Sequence, residues 1–232
     1  MEGSIVGETL VVAKDLGRNF RDGNAGRIEV LRNVNCEIVS GARIALVGPS
    51  GSGKTTLLHI LGGLDRPTAG IVEWPGLGAF EALRPRQIGF VFQSPSLFPA
   101  LTAVQNVGLP LLLAGENAGA EEIGASLLQS FGLGELGDKL PEELSGGQAQ
   151  RIAMARALVM GPKLVLADEP TGQLDSRTAL RFFDAVLDRL EGTDIALVVA
   201  THDEAMANRM ATRWTMDHGR LTTGLRSGTA AA

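Results

Sequence analysis

The chain has 232 residues, a formal net charge of −5 at pH 7, eight Phe, two Trp, no Tyr and a single Cys. That length suits one core, or one core with a subdomain, because single cores stop growing near roughly 250–300 residues. A net negative chain offers no overall attraction for nucleic acid, so no nucleic-acid partner is expected.

From the N-terminus, TLVVAKDL and IEVLRNVNCEIV predict two early strands and GIVEW another. The short runs RIALVG, QIGFVF, KLVLAD and IALVVAT have the composition of strands buried on both faces, and RWTMDHGRLTT predicts a closing edge hairpin. Helices are expected after Gly53, over about 119–131, 146–160 and 176–190, with a short one after His202. Residues from about 94 to 160 read as helices without strands, an insertion between QIGFVF and KLVLAD. The small-residue ending SGTAAA is expected to fray. Cys36, in an alternating apolar and polar run, reads as a half-buried thiol with no disulfide partner. MEGSIVGETL lacks the basic start of a leader, and the longest apolar runs, VGLPLLLAG and IALVVA, are far short of the roughly 20 residues of a membrane span. The chain reads as cytosolic, and a membrane role would require a partner.

The strongest chemical signal is GPSGSGKTT, Gly48 to Thr56, between a predicted strand and a predicted helix. Gly48, Gly51 and Gly53 allow the backbone to wrap so that successive N–H groups converge on phosphate oxygens. Lys54 reaches the β- and γ-phosphates, and the Thr55 hydroxyl is placed to ligate Mg²⁺. A second nucleotide element is KLVLADEP, which ends an apolar strand in two acids. Asp168 suits the metal, and Glu169, facing another way, suits a base that deprotonates a water for in-line attack. His202 and Gln93 each sit just past a predicted strand, where ligands bind in α/β sheets.

Residues 144–148 read LSGGQ, ahead of a helical pattern carried by Ile152, Ala153, Ala155, Arg156 and Leu158. Two glycines cost about 1 kcal/mol each in a helix interior. With Ser145 as N-cap they expose backbone N–H groups at a positive helix end, a site for an anion. The plain alternative is an ordinary Ser-capped helix. Asp175, in TGQLD, also makes a good N-cap for the helix that follows.

GPSGSGKT, Gln93, LSGGQ, LVLADEP, Leu174-Asp175 and His202 occur in the order and approximate spacing of an ABC-type ATPase, which the chain resembles over nearly its whole length. Stretches such as LLHILGGLDRPTAG, LADEPTGQLDSRTA and HGRLTT look like the branch that powers lipoprotein-releasing, macrolide-export and division-associated permeases. The resemblance implies one α/β phosphate-loop domain over 1–232. Residues 1–93 and 161–232 would form the ATP-binding core with a small antiparallel β subdomain, and about 94–160 the inserted helical subdomain. It implies ATP and Mg²⁺ bound by Gly48, Ser50, Gly51, Ser52, Gly53, Lys54, Thr55, Thr56 and Asp168, with Thr55, Gln93 and Asp168 at the metal. Glu169 would be the general base, and His202 and Gln93 its companions in catalysis. In a homodimer, Ser145, Gly146, Gly147, Gln148 and Asp175 would act on the partner's nucleotide, the glycines letting phosphate approach. The partner would be an integral membrane permease with few spans and a large external domain, docked on the surface after SPSLFPALTAVQNV, holding the chain to the inner face of the cell membrane.

Three features depart from that pattern. The family stacks adenine on an aromatic residue, commonly Tyr; here Phe20 in GRNFRDG is the candidate, the alternative being a loop residue tucked on the core. PGLGAFEALRPR is short, which predicts a trimmed antiparallel subdomain, and Ala149 stands where relatives often carry a polar residue. A soluble, non-transport ABC ATPase would call for coiled-coil insertions or two fused cassettes, and the chain has neither. A mechanotransmission role toward a cell-wall enzyme would use the same cassette.

Overall fold

A computed structural model describes residues 7–22 and 26–225. Nine strands form two sheets. The first is antiparallel, in the order β2-β1-β4, from β1 (Thr9–Asp22), β2 (Gly26–Val39) and β4 (Ala69–Glu73). The second is six-stranded in the order β5-β6-β7-β3-β8-β9, from β3 (Arg43–Val47), β5 (Ile88–Val91), β6 (Leu164–Asp168), β7 (Ala196–Thr201), β8 (Thr212–Asp217) and β9 (Arg220–Leu225). Its strands run parallel except β9, which closes the edge as a hairpin with β8.

Alternation along the central strands divides the interior in two. Ala45 and Val47 of β3, Val165 and Ala167 of β6, and Leu197 and Val199 of β7 face one core; Ile44, Leu46, Leu164, Leu166, Ala196 and Val198 face the other. A sheet covered on both sides requires such continuous apolar strands. The first core receives α2 (Ala103–Leu113), α3 (Ala120–Ser130), α4 (Gly146–Leu158) and α5 (Ser176–Leu190); the second receives α1 (Lys54–Leu61) and the antiparallel sheet. Helix α5 shows the logic: Ala179, Phe182, Phe183, Val186 and Leu190 recur at helical spacing and are all buried. Burying each large side chain of that face contributes about 1.5–3 kcal/mol. A short α6 (Glu204–Ala207) follows His202, capped by Asp203.

Strand β1 runs well past the predicted TLVVAKDL. Bulges let its register slip while pairing continues, so Phe20 lies in a strand opposite Ile28. Among the described residues the antiparallel sheet has three strands. The short PGLGAFEALRPR segment forms a 3-10 turn at Phe80–Ala82 and a kinked helical turn at Leu83–Gln87, with no strand of its own. Helix α2, which sequence alone left undivided within the helical stretch, is set by a capping box between Thr102 and Gln105. Cys36 packs at the edge of the second core, and burial pushes its thiol up to about 12. No helix among the described residues is long and apolar enough to cross a membrane.

Candidate active site

Parallel strands point their C-terminal ends the same way, and the chemistry-bearing residues follow those ends. The phosphate loop leaves β3, Gln93 follows β5, Asp168 closes β6 and His202 follows β7. They line one cleft of about 840 Å³ together with Ser50, Gly51, Gly53, Lys54, Thr55, Thr56 and Glu169.

The glycine-rich loop is shaped by contacts that exclude side chains. A Cβ at Gly48 would collide with the Met216 carbonyl, and one at Gly53 would lie 2.9 Å from the Val30 carbonyl, at a φ of +107°. Gly53 is the left-handed N-cap of α1, without a side-chain cap or an acid in the first turn. The amides of Lys54, Thr55 and Thr56 are therefore left for an anion. Lys54 is nearly buried, and its Nζ donates to the carbonyls of Gly48 (2.8 Å) and Pro49 (3.1 Å), spanning the loop from within. Ser52 is buried with its Oγ unpartnered.

Across the cleft, Asp168 is buried at the end of β6. Glu169 turns into the left-handed region (φ 46°), and its N–H donates to the Ala200 carbonyl at 2.9 Å. That turn sends consecutive acids different ways. The Glu169 carboxylate, 13% exposed, lies 2.9 Å from Nδ1 of His202, which is 75% exposed. Thr55, Gln93 and Asp168 supply only oxygen donors, the set that suits a hard divalent cation such as Mg²⁺.

The signature turn is built differently and does not line this cleft. Ser145 Oγ accepts from Gln148 N (3.2 Å) and Gln148 Oε1 accepts from Ser145 N (2.9 Å), a closed capping box on α4. The expectation that the two glycines serve phosphate approach gains a second cause. A side chain at Gly146 would meet Gln173 and one at Gly147 would meet Leu174, both from the same chain's TGQLD turn. Asp175 caps α5, accepting from Thr178 N at 3.0 Å; hydrogen bonds from Thr178 hold its carboxyl below the ordinary range.

Phe20 is neither in a loop nor tucked on the core. Its ring is 40% exposed, with the Arg18 guanidinium 4.5 Å from its centroid and held by a two-pronged ion pair to Asp65 (2.9 Å). Phe20 does not line the cleft, but Val30 of the neighbouring strand β2 does. Val30, Gly172 and Gln173 are cleft residues that the sequence reading passed over. Gln173 stood two residues before Asp175 in a stretch already singled out, a signal that could have found it.

A sequence model of the family described as ABC transporter matches residues 31–172. The chain is 45% identical over 222 residues to "Lipoprotein-releasing system ATP-binding protein LolD" of Legionella pneumophila (strain Paris), covering 92% of this chain and 97% of that one. It is 42% identical over 223 residues to the protein of the same name from Syntrophus aciditrophicus (strain SB), covering 92% and 99%. Two solved structures share the fold at 34% identity, each covering 94% of this chain and 100% of the other. The dimeric structure of MJ0796, a bacterial ABC transporter cassette, has a TM-score of 0.86, and the dimeric post-hydrolysis state of that cassette bound to ADP and Pi has 0.85. With the family's sequence pattern over more than half its length and the cassette fold throughout, the chain belongs to the ABC transporter family as an ATPase.

Proposed function

We propose that two copies of this chain hydrolyse ATP between them and so drive a separately encoded membrane permease, in a system of the lipoprotein-releasing type. The observation that carries this reading is convergence: the phosphate loop, Gln93, Asp168 and the Glu169–His202 pair all line one cleft. The substrate class and the permease come from the named activity of relatives that match the chain nearly end to end.

In this reading the amides at the start of α1 and the Lys54 cation bind the β- and γ-phosphates. Thr55, Gln93 and Asp168 hold Mg²⁺, which when bound neutralises charge developing on the phosphate oxygens. Glu169 takes the proton of a water as its oxygen forms a bond to the γ-phosphorus and the bond to the ADP oxygen breaks. His202, held through Nδ1 by Glu169, presents Nε2 to the γ-phosphate. The second copy supplies Ser145, Gly146, Gly147, Gln148 and Asp175 to close the site.

The division into a core (1–93 and 161–232) and a helical part (about 94–160) then has a purpose. An apolar groove of about 430 Å³ between them, lined by Phe90, Phe92, Phe98, Leu109, Pro110 and Leu113, takes the membrane partner. That partner has few spans and a large external domain, and it holds the cassette at the cytoplasmic face of the membrane. ATP hydrolysis by the purified protein with Mg²⁺, and its stimulation on co-purification with such a permease, test the reading; a folded protein without either would overturn it.

A further inference from the structure

Gln93 reaches the cleft from the segment that follows β5, and side chains of α4 hold that segment on both sides of it. Gln150 is fully buried, and its Nε2 donates to the Phe92 carbonyl at 3.1 Å, one residue before Gln93. Six residues along α4, Arg156 donates to the carbonyls of Ser96 (2.9 Å) and Pro95 (3.2 Å). Ser96 adopts the left-handed region (φ 50°), which turns its carbonyl toward that guanidinium. Beyond it, the buried Asn106 of α2 fixes Phe98 through both its backbone groups. Among the described residues the Gln93 side chain makes no hydrogen bond, so its place is set by the backbone around it.

We infer that Gln150 and Arg156 are positioning residues that fasten the Gln93 segment to the helix carrying the signature turn, so that helix and glutamine move as one body. Buried bonds to main-chain carbonyls suit this task, because breaking them would strand polar groups away from water. The Gln150 Oε1, buried without a partner, marks a side chain held for its donor rather than for full satisfaction. Arg156, Ser96 and Phe98 also line the apolar groove, so whatever seats there touches the clamp directly. The inference rests on the proposed role of Gln93, and its test separates the two.

Hydrogen exchange on the nucleotide-free protein reads the clamp without any chemistry. Arg156→Met should raise exchange across residues 92–98 by about tenfold, the effect of losing a buried hydrogen bond, while the phosphate loop stays as protected as before. In turnover, Arg156→Met or Gln150→Leu should lower kcat by about tenfold in the parent and by less than about twofold in a Gln93→Ala background, since an effect that acts through Gln93 cannot be lost twice. Arg156→Lys, which keeps one donor, should recover part of the loss. Unchanged exchange at 92–98, loosening that spreads equally through α4 and the phosphate loop, or equal losses of kcat in both backgrounds would overturn the inference. A Gln93→Ala protein that hydrolyses at the parent rate would overturn the role of Gln93, leaving the exchange result to decide the clamp. If Arg156→Met does not fold, Gln150→Leu and Arg156→Lys carry the same comparisons.

Discussion

Helices α1 and α4 both begin in a glycine-rich turn, and their own chain treats the two turns in opposite ways. At α1 the cap is a left-handed glycine with no side chain to satisfy the first amides, which open into the cleft. At α4 a reciprocal capping box uses the amides of Ser145 and Gln148, and Gln173 and Leu174 press against the glycines. Only the amides of Gly146 and Gly147 remain without an acceptor among the described residues. The difference teaches that a glycine-rich helix start is not one device. One turn is shaped to surround an anion within its chain; the other is a finished helix end with two free donors, useful to a ligand brought from outside.

The sharpest way to break that comparison is to damage each turn in a different chain. Lys54→Ala and Ser145→Arg homodimers should each lose hydrolysis, and mixing them should partly restore it, because one site then combines an intact phosphate loop with an intact signature turn. ATP-dependent dimerisation measured beside turnover separates a silent but assembled mixture from one that never forms. A mixture that neither dimerises nor turns over would show that α4 does not serve a partner's nucleotide.

Next in size, Glu169→Gln should slow hydrolysis by on the order of 100-fold or more while ATP binding persists, since Lys54, the amides of α1 and Asp168 are untouched. Dimers should then accumulate with Mg-ATP in size-exclusion chromatography; turnover at the parent rate would remove Glu169 as the base.

A smaller effect tests how far the α1 cleft extends. If adenine stacks on the exposed ring of Phe20, with Arg18 behind it, Phe20→Ala should weaken ATP binding by roughly 1–3 kcal/mol and Phe20→Trp should bind at least as well. Equal affinity of a folded Phe20→Ala protein by titration calorimetry would confine the site to the residues lining the cleft.

The smallest expected change concerns the covered glycines. Gly147→Ala should cost about 1 kcal/mol in stability, the low end for overpacking, because Leu174 is only half-buried and can turn aside. Adding Leu174→Ala should return much of the lost Tm. If thermal unfolding shows no such rescue, packing within the chain is not what requires glycine there.

Local patterning made much of this molecule readable. The phosphate loop carries its own geometry in Gly48, Gly53 and Lys54; short β-rich runs announce a parallel sheet; a serine three residues before a glutamine announces the α4 cap. The family resemblance gathered these pieces into one cassette, and the comparisons bear it out. What the sequence could not determine depends on residues far apart in the chain. Phe20 became a strand residue under Arg18 because bulges prolonged β1 beside β2. Gly146 and Gly147 were tied to Gln173 and Leu174, more than twenty positions away, by the packing of α4 against the turn after β6. The Arg156 clamp on Pro95 and Ser96 joins residues about sixty apart. Periodicity and caps act within a turn or two of the backbone, so they are written locally; contacts between layers exist only once the sheet has set the distance between its strands, and tertiary structure alone decides them.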